Sequence, residues 1–194
     1  MSLSFDHLAI GLLITWLVYR TVRGFVSGPT ALALGGGLAA LLLVFGQPPM
    51  SMLVAVLAPM GFMIPALIGR DIAAGFGAPV TPLGVWDVGL ALVVCTALTL
   101  ATLGFLHVDL YRLGYLPFSG SLIALLAIAY CLFRRHFWLA AVLLAGQAVW
   151  VADIGSTNLF DYIGHLLIIP AALGWLTKSA IASLQDRLRA QPTG

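Results

Sequence analysis

Seven stretches of the chain are almost continuously apolar, and short polar or Gly/Pro-rich segments separate them. They run from about Phe5 to Tyr19, Thr30 to Gly46, Met50 to Gly69, Val85 to Leu106, Pro117 to Phe133, Phe137 to Ala152 and Asp161 to Leu176. A membrane-crossing helix needs about 20 mostly apolar residues. The shorter stretches therefore reach their span by snorkelling or by an extra turn at the interface. The breakers between them include Gly28-Pro29, Gln47-Pro48-Pro49, Gly77-Ala78-Pro79 with Thr81-Pro82, Arg134-Arg135-His136 and Gly155-Ser156-Thr157-Asn158. Barrel strands would alternate over about ten residues, and these runs do not. Since open backbone is prohibitive in lipid, helices remain.

The pattern predicts an all-α, polytopic transmembrane helix bundle of seven spans, or six if the short first segment does not cross. The bundle covers residues 1–177, and 178–194 form an amphipathic cytoplasmic tail in which Ile181, Leu184 and Leu188 recur at helical spacing. Pro59, Pro65 and Pro170 lie inside spans and are expected to kink the third and seventh helices.

Composition agrees with this reading. Of 194 residues, 61% are hydrophobic and 8% charged, against about 25% charged in soluble domains. That excludes a soluble globule, a disordered chain and a nucleic-acid binder. Cys95 and Cys131 both fall in apolar runs and read as small hydrophobes rather than a disulfide. The segment before the first span has no basic region or cleavage motif of a removable signal peptide.

Charge supplies the orientation. With seven spans, Arg20, Arg23, Arg70, Arg134, Arg135, Lys178, Arg187 and Arg189 share one side, and only Arg112 lies on the other. The positive-inside rule then puts the N-terminus outside and the C-terminus in the cytoplasm, as expected for a bacterial inner (plasma) membrane protein.

The same topology gathers Asp6, His7, His107, Asp109, Asp153, Asn158, Asp161 and His165 at the outer face. Ionisable groups at membrane depth are costly and mark candidate sites. Asp161 and His165 are four apart, which on one helix puts them on one face with His165 a turn deeper. If the first, fourth and seventh spans converge, His7, His107 and His165 with Asp161 form an N/O ligand set suited to a divalent transition metal such as zinc, copper, nickel or iron(II). A small polar ligand would use His165, Asp161, Asp153, His107 and Asp109. Two histidines at similar depth, His7 and His165, would also suit a haem.

Structural readings compete for the same residues. Asn158 and Asp161 resemble a helix cap with an acidic residue in the first turn, and Asp6 and Asp87 would likewise favour helix dipoles. Asp153 fits this reading poorly because a carboxylate at a helix C-terminus opposes the dipole. A serine–histidine dyad from the Ser119-Gly120-Ser121 segment and His165 is a further alternative. No lysine lies within the seventh span, Lys178 being past its end, so a retinal Schiff base is excluded. Gly35-Gly36-Gly37, flanked by alanines, offers a smooth face for close helix approach, within the chain or to another membrane subunit.

Three functions follow as expectations. The first is an outward-facing pocket for a metal ion or small polar ligand, serving transport, capture or sensing. The second is an intramembrane metal-assisted hydrolase at the outer leaflet, with His165 as ligand and an aspartate as base. The third is an accessory membrane subunit of a larger complex. The bilayer is the common partner of all three.

Overall fold

The computed structural model describes residues 4–154 and 156–189. Gly155 of the last breaker and the final five positions of the expected tail lie outside the described residues. The described chain is 76% helix and contains no strand. Its helices are α1 (Phe5–Val22), α2 (Gly28–Phe45), α3 (Gln47–Leu57), α4 (Met63–Gly75), α5 (Val85–Thr102), α6 (Pro117–Phe133), α7 (Phe137–Val151), α8 (Phe160–Ile163) and α9 (Ile168–Arg189), with a 3-10 turn at Tyr111–Tyr115. Four stretches are long and apolar enough to cross a membrane: α1, α2, α5 and Phe160–Arg189. Helices α3, α6 and α7 are apolar but shorter. At 1.5 Å per residue α6 is about 25 Å long and α7 about 22 Å.

The chain divides into two units. The first holds the segment ending at Thr81 together with Gly114–His165. Here α1 and α2 are antiparallel, because Gly35 lies against the backbone of Thr15 while Gly11 faces Ala39 and Leu43. A Cβ on Gly35 would stand 2.5 Å from the Thr15 carbonyl oxygen, so only glycine permits this approach. Helix α4 runs parallel to α1: Phe5 packs on Phe62, the Trp16 indole donates to Asp71 Oδ2 at 2.7 Å, and Tyr19 stacks on Phe76. Helix α7 runs antiparallel to α4, with the Trp138 indole donating to the Ala66 carbonyl at 2.9 Å. Helix α6 turns through Arg134–His136 into α7, and Cys131, Ala140 and Leu143 form a buried cluster between them. The arginines of α1 and of the α6–α7 turn therefore sit at one end of this unit. Asp6, Asn158, Asp161 and His165 sit at the other.

The expected third span, Met50–Gly69, is not one helix. It breaks at Ala58–Phe62 into α3 and α4. Both ends of α3 lie at the Asp6 end of the unit, since it follows α2 there and its last carbonyl meets His165. It runs across that end, and α4 alone continues toward the arginines. The expected proline kinks are also absent. Pro59 lies in the break, while Pro65 and Pro170 occupy the first turns of α4 and α9, where the missing N–H costs no helical hydrogen bond.

The second unit comprises Pro82–Leu113 and the chain from Leu166 onward. Helices α5 and α9 pack on each other within it. Asp87 caps α5 by accepting from the Gly84 N–H at 2.7 Å, the dipole-side role its position suggests. Helix α9 continues unbroken through the expected tail as far as Arg189, burying Ile168 and Ala172 near its start and exposing Ile181, Leu184 and Leu188.

Four helices end alike. The residue after the cap takes a left-handed conformation, and the next N–H reaches back five residues: Ala78 to Ala73, Phe105 to Leu100, His136 to Cys131 and Ile154 to Val149. This is the Schellman motif, which favours glycine at the left-handed position. Gly77 and Gly104 supply it after α4 and α5, but Arg135 (φ 60°) and Asp153 (φ 55°) do so after α6 and α7.

Candidate functional site

The break between α3 and α4 exposes polar backbone that a continuous helix would have satisfied. Side chains from distant segments take it up. Asp6, in the first turn of α1, accepts from the Met60 N–H through Oδ1 at 2.9 Å. His165 Nε2 lies 2.8 Å from the carbonyl of Leu57, the last residue of α3. A carbonyl only accepts, so Nε2 carries the proton. The Phe62 N–H donates to the Tyr162 carbonyl at 2.8 Å, and the Phe62 and Tyr162 rings stack with centroids 5.9 Å apart. Gly61 makes the crossing possible. It adopts φ 54°, and a Cβ there would collide with the Asp161 carbonyl.

Asp161 and His165 both belong to this end, but not as one helix face. Helix α8 stops at Ile163, Gly164 is extended, and His165 lies outside regular structure. Their i, i+4 relation on the seventh helix is thereby corrected. Glycine at 164 lets the chain leave α8, and His165 turns to the α3 terminus. The Asp161 carboxylate accepts from the Ser156 hydroxyl. Asn158, fully buried, accepts from the Phe160 N–H at 2.8 Å and so opens α8 as a cap-like turn. The Tyr162 hydroxyl donates toward the carbonyls of Ile154 (2.5 Å) and Ser156 (3.0 Å).

The remaining predicted residues have local settings of their own. His7 Nδ1 pairs with the Ser4 hydroxyl at 2.7 Å. Asp153 is exposed at the left-handed end of α7. That explains a carboxylate where the dipole disfavours one: the position is set by backbone conformation, which aspartate tolerates better than most residues. His107 and Asp109 belong to the second unit and are exposed, and Asp109 accepts from the Arg112 N–H at 3.1 Å. Among the described residues, no group of three or more His, Cys, Asp or Glu is placed to hold a metal ion. Of the expected set His7, His107, His165 and Asp161, the first unit holds His7, His165 and Asp161 and the second holds His107. Ser121 accepts from Gln147 Nε2 at 2.9 Å, tying α6 to α7 as interhelical glue. Gln147 Oε1 is buried with no partner among the described residues.

Sequence reasoning missed Met60, Gly61 and Tyr162. The signal for the first two was present: Pro59-Met60-Gly61 is a breaker inside an apolar run. Comparison adds no relative, since no protein-family model, curated protein or solved structure matches the chain.

Proposed function

We propose that the protein is a small integral membrane protein of the bacterial inner membrane that binds a small polar ligand at its broken-helix end, in transport, capture or sensing. The observation that carries this reading is the convergence of Asp6 and His165, from two distant segments, on the backbone of the α3–α4 break, with the Asp161 backbone crossing it at Gly61. Interrupted helices are the usual means of presenting polar groups at membrane depth. In this reading α1, α2, α4, α5, α6, α7 and α9 are the seven crossing helices, and the arginine-rich end faces the cytoplasm. The ligand would exchange for the internal partners of these side chains. The reading calls on no metal.

Thermal unfolding of the detergent-purified protein against amino acids, inorganic anions and divalent cations tests it. At least one solute should raise the melting temperature of the wild type and leave His165→Ala unmoved. A solute that stabilises both equally acts elsewhere.

A second reading, an accessory subunit, draws on α2. Gly35 is taken up inside the chain, but Gly36 and Gly37 have open space where a Cβ would stand. Ala33 and Ala40 beside them are exposed. This face is suited to a partner helix. The alternative serine–histidine dyad draws no support from Ser121, whose hydroxyl accepts from Gln147.

A further inference from the structure

At the other end of the first unit, a cavity of about 100 Å³ is lined by Arg70 of α4, Thr81, and Arg135, His136 and Trp138 at the start of α7. Thr81 joins the two arginine-bearing segments. Its carbonyl accepts from the Arg70 guanidinium, and its hydroxyl donates to the Arg135 carbonyl at 3.0 Å. Among the described residues no acidic side chain lines the cavity. Two permanent cations thus line one partly open cavity whose wall holds no carboxylate of its own, the nearest charge partner of Arg70 being its chain neighbour Asp71. The first turn of α7, which no side chain caps, forms part of the wall, and its N–H groups add positive potential. Arginine also stands at a left-handed position where glycine serves after α4 and α5. Packing gives no reason for that choice, since Arg135 is exposed.

We propose that this cavity binds a phosphate group, and that the headgroup of an anionic phospholipid fills it. Guanidinium groups match phosphate oxygens in pairs, and a single bond to Thr81 leaves Arg70 further donors. A cavity of this volume admits a tetrahedral anion but no large soluble ligand. It lies beside Trp138, whose ring and polar edge suit the headgroup layer, and basic pockets between membrane helices recognise anionic headgroups in this way.

The test uses the full chain in nanodiscs of phosphatidylcholine with or without phosphatidylglycerol, and native mass spectrometry of the retained lipid. The variants are Arg70→Gln and Arg135→Gly. The second removes a cation while relaxing the backbone, so it keeps or raises the melting temperature and separates binding from folding. The wild type should retain phosphatidylglycerol in preference to phosphatidylcholine, and each variant should lose that preference by about tenfold or more. In lipid-free detergent, inorganic phosphate that stabilises the wild type but neither variant supports the same phosphate site with a soluble source. Equal retention of both lipids together with no effect of phosphate overturns the proposal. So does unchanged anion binding in the Arg135→Gly protein.

Discussion

The imidazole of His165 closes the end of α3, a helix that finished more than a hundred residues earlier: Nε2 stands 2.8 Å from the Leu57 carbonyl. Asp6 performs the complementary act on the other side of the break, receiving the Met60 N–H. One residue supplies a donor and the other an acceptor, each to a backbone group the broken helix orphans. His165→Ala should destabilise the protein by about 1–2 kcal/mol, and Asp6→Ala by about 1–3 kcal/mol because Met60 is fully buried. Asp6→Asn, which keeps an acceptor oxygen, should cost less than Asp6→Ala. Thermal or denaturant unfolding in detergent measures all three. A neutral His165→Ala would show that the Leu57 carbonyl finds another donor.

Glycines at two places should respond oppositely. Gly61→Ala meets a left-handed backbone and the Asp161 carbonyl together, so a loss above about 2 kcal/mol, or failure to fold, is expected. Gly36→Ala meets nothing within 4 Å and should stabilise the isolated chain by up to about 1 kcal/mol through helix propensity. If Gly36→Ala were instead to weaken co-purification of another membrane protein, the open α2 face would be an interface.

The α7 terminus offers a stabilising change. Asp153 holds φ 55° in a motif that prefers glycine. Asp153→Gly should raise stability by about 1 kcal/mol, relieving both left-handed strain and an unfavourable charge at a helix C-terminus. Unfolding measurements on this variant would show a loss only if the carboxylate had a partner of its own.

Much of this architecture was legible in the sequence. Helices α6 and α7 begin where Pro117 and Phe137 said they would, because a proline start and a basic turn are strong local signals. The segregation of arginines from Asp6, Asp161 and His165 also reappears as the two ends of the first unit. What hydropathy did not convey was α3. A run such as Met50–Gly69 is equally apolar whether it crosses or lies across one end, and only the tertiary partners of Met60 and Leu57 distinguish the two. The relation between Asp161 and His165 failed for a similar reason. Periodicity assumes the helix continues, and Gly164 ends it. His107 and His165 share a predicted side, and a shared side did not reveal that they belong to different units.

Orientation has a direct check. A reporter active only outside the cytoplasm, fused after Gly194, should be silent, and the same reporter placed in the loop near Asp109 should be active. The opposite pattern would invert the arginine end and with it the leaflet from which a headgroup would be drawn.

The pairing of α5 with α9 bears on how the protein is made. Synthesis runs from the N-terminus, and folding follows emergence. Helix α5 therefore leaves the ribosome well before α9, with α6, α7 and α8 produced in between. Throughout that interval the helix it packs on does not yet exist, and its apolar surface must be sheltered by lipid or by the insertion machinery. The second unit is thus the last to close, and any stalled or shortened chain ending before Ile168 would carry α5 into the membrane as an orphan.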